Sequence, residues 1–215
     1  MLTRARAVVL AVAALTMTAC GSVHPGAAAV VDGKTISMKA LNDTAEVYCT
    51  LTLSSAEAQG ASVPDNADLR RQAVTSLVST VVARRLAEDA GVTPRPSEYK
   101  LTADQQDQIA KAFPDGDVEQ IGRAIEDSQE ISAIAVALGE KSTGQLSTST
   151  TEAQLAELGQ NQIIGAFADN DVTFAPRFGL TGGSRQIAPT GSLSVPAADL
   201  GAAESDQLPA AQRCS

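Results

Sequence analysis

Residues 65–91 carry the strongest constraint in the chain. Leu69, Ala73, Leu77 and Val81 recur every four residues, and Val74, Val78, Val82 and Leu86 form a second row beside them. Apolar residues at that period mark one face of an α-helix. A face two rows wide is buried on a helical neighbour rather than laid on a surface. Asp65 stands where a helix cap belongs, Asp68 makes the first turn acidic, and Gly91 ends the run. Arg70, Arg71, Glu88 and Asp89 fall mainly off the stripe. The pattern reads as a core helix, not as a cofactor box.

Such a helix needs partners of matching texture. The chain has no Trp, four Phe and two Tyr, so its core is built from Ala, Val, Leu and Ile, which suits closely packed helices. Further helical periods are predicted over 38–58, where Leu41, Ala45, Tyr48, Cys49 and Leu53 recur behind a Ser37 cap, and over 102–113. Another runs over 117–138 with Val118, Ile121, Ile125, Ile131, Ile134, Ala135 and Leu138. Gly139 to Ser149 is Ser/Thr-rich and reads as a loop. Ser149-Thr150-Thr151-Glu152 then reads as a capping box that opens a last helix with Leu155, Leu158, Ile163, Ile164 and Phe167. Around this body, 27–36 (AAAVVDGKTI) reads as two strands about an Asp32-Gly33 turn. Residues 171–180 look extended, Gly182-Gly183 a turn, and 192–195 a short strand.

The front end addresses the chain. Arg4 and Arg6 precede an apolar run from Ala7 to Leu15, about half of the roughly 20 residues needed to span a bilayer, so it reads as a signal segment. Met17-Thr18-Ala19-Cys20 resembles the bacterial lipobox, in which cleavage after Ala19 leaves Cys20 lipidated as the new N-terminus. Met17 stands where that pattern prefers Leu. The competing reading is ordinary cleavage before a buried or disulfide-bonded Cys20. The expected organisation is a lipoprotein signal peptide over 1–19, a lipidated tether over 20–27, a helical domain over 28–195 and a tail over 196–215. That places the protein at the cell membrane, lipid-anchored on its extracytoplasmic face. Two of the 16 basic residues leave with the signal and none of the 25 acidic ones, so the net charge falls from −9 to −11. That balance argues against nucleic acid as a partner. Outside the cell, Cys49 and Cys214 form an even pair and are expected to bond; two free thiols are the alternative.

Little in the chain promises catalysis. Its one His, His24, lies in the tether, which leaves no His-based triad or zinc site in the domain. Asp115 with Asp117, and Asp169 with Asp171, could flank a substrate or bind calcium, but surface turns hold such pairs routinely and neither has EF-hand spacing. No cofactor, no metal and no catalytic residue is expected.

Three segments carry a resemblance. Ala28 to Ser37 is similar to the opening strand-turn-strand of SurA-type periplasmic chaperones and PrsA-like foldase lipoproteins. Asp65 to Gly91 is similar to their long second helix, and Gly91-Val92-Thr93 with Thr102-Ala103-Asp104 to the start of the next. Asp171 to Gly179, with Ala175-Pro176-Arg177-Phe178-Gly179, looks like their returning strand. The resemblance implies a mainly α fold, a SurA-N-like helical domain with a small β element formed by N-terminal and C-terminal segments. It also implies binding of unfolded or exported polypeptides. Family members with isomerase activity continue into a parvulin domain, whereas 45 residues follow Asn170 here without a His, so that activity is not carried over. The candidate client-binding positions are Val78, Val82, Leu86, Ile121, Ile125 and Ile134, although most of them are expected in the core. Two further readings stand beside the chaperone: a scaffold lipoprotein holding one envelope protein, and an enzyme with an acid-only site.

Overall fold

The structure, a computed structural model, describes residues 25–60, 65–181 and Cys214, together with the backbone of 184–187. The expectations for the signal segment, Ala19, Cys20, the Gly182-Gly183 turn, the strand at 192–195 and most of the tail fall outside the described residues. A hairpin opens the fold. Strands β1 (Ala27–Val31) and β2 (Lys34–Ser37) pair antiparallel, and the turn between them has φ 46° at Asp32 and 82° at Gly33. Two successive positive φ values are what a two-residue hairpin loop demands, and Asp-Gly supplies them at low cost. Strand β3 (Val172–Phe174) adds to the free side of β1, with Val31 opposite Val172 and Ala29 opposite Phe174. The chain's two ends thus share a three-stranded antiparallel sheet ordered β2-β1-β3.

Asp32 locks this junction. Its N–H donates to the Asp171 carbonyl at 2.9 Å, its Oδ1 accepts from the Asp171 N–H at 2.8 Å, and its Oδ2 pairs with Arg85 of the second helix. One side chain therefore fixes the turn, the entry of β3 and the helix laid beside them.

Five helices follow in the described chain: α1 (Met38–Gln59), α2 (Asn66–Ala90), α3 (Ala103–Ala112), α4 (Val118–Thr143) and α5 (Glu152–Asp169). Ser37 Oγ accepts from the Ala40 N–H at 3.1 Å, and Asp65 Oδ1 from the Asp68 N–H at 2.7 Å, the N-caps foreseen from the sequence. Helix α2 is the spine. Leu69, Ala73, Val74, Val78, Val82, Ala83 and Ala87 are buried, and α2 touches α1, α4, α5, β1 and the turn at Pro176–Phe178. Arg84 ties it to α4 by reaching Asp127 at 2.7 Å and Glu130, whose hydrogen bond holds the guanidinium above its ordinary pKa. A smaller core of Val47, Ile109 and Ile121 seats α3.

The tightest packing is between α4 and α5. A methyl built on Gly139 would lie 2.8 Å from the Cα of Leu155, and one on Gly159 would lie 2.7 Å from the Cα of Ala135, each nearer still to a carbonyl oxygen. This corrects the expected loop over 139–149. Gly139 does not stop α4; it is the point where α5 lies backbone to backbone against it. The helix runs on to Thr143 and ends at Gly144, φ 69°, whose N–H returns to the Glu140 carbonyl at 2.8 Å. The expected capping box over Ser149–Glu152 does not form either. Thr151 occupies the N-cap, but its hydroxyl accepts from the Thr148 N–H at 2.9 Å, a local bond of the kind Thr forms in competition with helix caps.

The extended run over 171–180 is also interrupted. Pro176–Phe178 forms a 3-10 turn ended by Gly179 at φ 63°, which folds Phe178 into the core. The chain then re-extends as β4 (Leu180–Thr181), paired with β5 (Ser184–Ile187). Cys49 of α1 and Cys214 stand with Cα atoms 5.5 Å apart, joined as a disulfide across 165 positions, and Cys214 is buried.

In a helix, Gly→Ala ordinarily gains up to about 1 kcal/mol. Gly165→Ala, where an added methyl meets nothing within 4 Å, is expected to raise Tm. Gly139→Ala and Gly159→Ala are expected to lose roughly 2–4 kcal/mol by forcing the helices apart; thermal melts showing all three alike would refute the contact. Replacing both Cys49 and Cys214 by Ser is expected to cost on the order of 5 kcal/mol relative to oxidised wild type, the chain-entropy value for so long a loop, measured by denaturant unfolding, with reduced wild type expected to match the variant.

Candidate functional site

The proposed client-binding side chains do not make an open surface. Val78 and Val82 are 0% exposed and Ile121 and Ile134 1%; Leu86 and Ile125 are half-buried against the two cores. Their helical spacing was the spacing of core positions, and helices α1, α4 and α5 with the sheet already cover them. One member of each acidic pair is engaged in structure. Asp117 caps α4, accepting from the Gln120 N–H at 3.0 Å and from its amide at 2.6 Å, bonds that lower its carboxyl pKa. Asp171 pairs with Asp32 through its backbone. Among the described residues no group of three or more His, Cys, Asp and Glu is placed to hold a metal ion, and no helix is long and apolar enough to cross a membrane.

What the structure does open is a cleft on the other side of α4, with a volume of about 650 Å³. Its floor is the α4 face bearing Ser128, Ser132, Ala133, Val136, Ala137 and Glu140, residues three and four apart and therefore in line. One wall is the segment carrying Arg95 and Glu98; the other is Leu146 and Ser147 with Glu152 and Ala156 at the start of α5. Leu146 is 80% exposed. It is held there from both ends. Gly144 stops α4 two residues earlier, and the Ser147 N–H donates to Glu140 Oε1 at 2.6 Å.

The opposite wall is held by charge. Glu98 Oε2 accepts from the Arg95 N–H at 2.8 Å and Oε1 from its Nε at 2.8 Å. Partial burial opposes ionisation of Glu98, yet these bonds keep its carboxyl below the ordinary range. Just beyond, Glu126 of α4 accepts from Lys100 Nζ at 2.7 Å and from the Leu101 N–H at 3.1 Å, and the Lys100 bond in particular lowers its pKa. The Arg95–Glu98 bonds brace this wall internally, and Glu126 ties the segment just beyond it to α4.

A second, smaller hollow of about 180 Å³ lies between α1, α2 and α4, lined by Tyr48, Thr80, Gln120 and Asp127 among others. Gln120 Oε1 is buried there without a protein partner. Its size and polarity suit ordered water.

With the geometry in place, comparison with known proteins adds nothing further: no family model, curated protein or solved structure matches this chain.

The cleft went unseen in the sequence because its floor is Ser and Ala, which carry no hydrophobic signal. The one legible sign was Leu146, a lone large aliphatic residue between Gly144-Gln145 and a run of Ser and Thr. Because Glu126 has a lower pKa folded than unfolded, its contribution is full above the unfolded value and is lost as pH falls through the folded one. Glu126→Gln is therefore expected to lower stability at neutral pH and to flatten the acid-side fall of Tm, read from melts between pH 7 and 3.

Proposed function

We propose that this chain is a lipid-anchored extracytoplasmic protein that binds a segment of an exported or envelope polypeptide in the α4 cleft, acting by binding rather than by catalysis. The single observation that carries the reading is the cleft of about 650 Å³ between α4, the Arg95–Glu98 turn and the start of α5, with Leu146 80% exposed on its wall. Walled clefts of this volume that combine aliphatic surface with a few fixed polar groups are the usual form of a binding site. The lipobox-like Met17-Thr18-Ala19-Cys20 and the signal-like run before it support the location. The resemblance of 28–37 and 65–91 to SurA-type and PrsA-like proteins supports a polypeptide ligand.

The geometry favours a defined partner over a general holdase. Holding unfolded chains calls for broad, adaptable aliphatic surface, whereas the broad aliphatic rows here are buried. Among the described residues the exposed large aliphatics are Leu146, Leu158 and Ile164. The interaction-lipoprotein reading therefore stands ahead of the chaperone reading, and both use the same cleft.

The test places a photo-crosslinking residue at Ser132 on the cleft floor, or at Lys39, exposed on α1, and adds a permanently unfolded, cysteine-free model polypeptide of net positive charge. Cross-links at position 132 and not at 39 are expected, and Leu146→Asp is expected to cut them at least tenfold while leaving stability within about 0.5 kcal/mol, as exposed substitutions do. Equal labelling at both positions would defeat the cleft as the site. In a parallel light-scattering assay, suppression of client aggregation below stoichiometry would restore the general chaperone reading.

A further inference from the structure

The α4 cleft can be read for the kind of segment it takes, an inference that rests on the polypeptide-binding reading above. We infer that its ligand is a basic amphipathic helix of about three turns. The floor runs from Ser128 to Glu140, which at 1.5 Å per residue is about 18 Å, the length of some twelve helical residues.

Backbone chemistry disfavours strand addition, the other common mode of peptide binding. An extended ligand draws its affinity from main-chain hydrogen bonds to an open strand edge. No strand residue lines this cleft, and the α4 backbone is satisfied within its own helix. An extended segment lying here would bury N–H and C=O groups without partners, at a cost of roughly 1–3 kcal/mol each. A helix brings those groups already paired.

The floor's texture fits a helix too. Ser128, Ser132, Ala133, Ala137 and Ala156 are small, while Val136 and Leu146 supply the larger apolar surface. Small side chains allow helix axes to approach toward the near end of the usual 8–10 Å. On its other face α4 already packs a helix in this manner, α5, through Gly139 and Gly159. The cleft gives α4 a second place for a helix, walled on both sides.

Charge selects which helix. The lining holds three carboxylates, Glu98, Glu140 and Glu152, against one guanidinium, Arg95, which Glu98 already engages. Glu140 is turned to the Ser147 N–H and Glu152 is exposed at the rim. A helix carrying an aliphatic stripe flanked by Lys or Arg places cations against this rim. An acidic helix meets repulsion, reinforced by a chain whose net charge from residue 20 onward is −11.

The experiment uses three labelled fifteen-residue peptides with the same aliphatic stripe: Lys-flanked, Glu-flanked, and Lys-flanked with a central proline on the solvent side. Anisotropy would follow binding to a soluble form that begins at residue 20, carries Cys20→Ser and retains the Cys49–Cys214 bond. The Lys-flanked peptide is expected to bind at least tenfold more tightly than either of the others. Its Kd is expected to rise severalfold from 50 to 500 mM salt, and Leu146→Asp to weaken it at least tenfold although that change adds negative charge. Binding of the Glu-flanked or proline peptide within tenfold of the Lys-flanked one would overturn the basic-helix inference. If cross-linking at Ser132 to unfolded polypeptide persisted in that case, the function reading would stand without it. Lys-flanked binding unaffected by Leu146→Asp would overturn both.

Discussion

Everything else in this fold is arranged around the burial of one helix. α2 offers apolar side chains around much of its circumference, and the core formed by Val74, Val78 and Val82 is fully excluded from water. At about 25 cal/mol per Å² of buried apolar surface, no single neighbour could cover so wide a face. The chain therefore lays α1, α4, α5 and the sheet against it in turn. Because valine and alanine dominate that face, the neighbours must come close to fill the space. The aromatic-poor composition and the tight helix crossings are two aspects of the same constraint.

The α4–α5 crossing follows from it. With short side chains on α2, the helices beside it converge until backbone meets backbone, and only glycine at 139 and 159 permits the remaining approach. That crossing turns α4 so that its Ile121, Ile134 and Leu138 face inward and its Ser128, Ser132, Ala133 and Val136 face outward between two walls. The cleft is thus a by-product of core packing until Leu146 and the Arg95–Glu98 turn give it sides. One wall is braced by the Arg95–Glu98 hydrogen bonds, while the other includes the start of α5, which packs directly on α4. The Glu98 and Glu126 attachments are partly open to water, where such pairs are individually weak, while the floor belongs to the core of the molecule. A rigid floor with one lightly held wall suits a site that admits a polypeptide segment.

The lesson of the chain for sequence reading is uneven. The caps at Ser37 and Asp65 and the Asp32-Gly33 turn were legible, since each depends on a few neighbouring residues with strong preferences, whereas the sheet shared by N-terminal and C-terminal segments was implied by the resemblance. The pairing of Cys49 with Cys214 was expected only once Cys20 was set aside as the lipidated residue, and the two stand with Cα atoms 5.5 Å apart. The stretch from Gly139 was read as loop for its Ser and Thr content, whereas α4 continues to Thr143 because α5 lies backbone to backbone against Gly139. The box over Ser149–Glu152 was misread because Thr148 and Thr151 satisfy each other first. The candidate binding residues were misplaced for a related reason: the apolar stripe that announces a helix is the stripe the helix buries.

The sequence by itself determined where helices and turns begin, which faces are apolar, that the core must be aliphatic, and that the front end resembles an export and lipidation signal. These are local matters, decided by residues within a few positions of one another. The tertiary structure alone decided which faces stay open. Whether Val136 lies in a core or on a cleft floor depends on how far apart α4 and α5 settle and on where Leu146 and Arg95 come to rest. Those positions are set by contacts between residues distant in the chain, above all by two glycines whose role is to contribute no side chain.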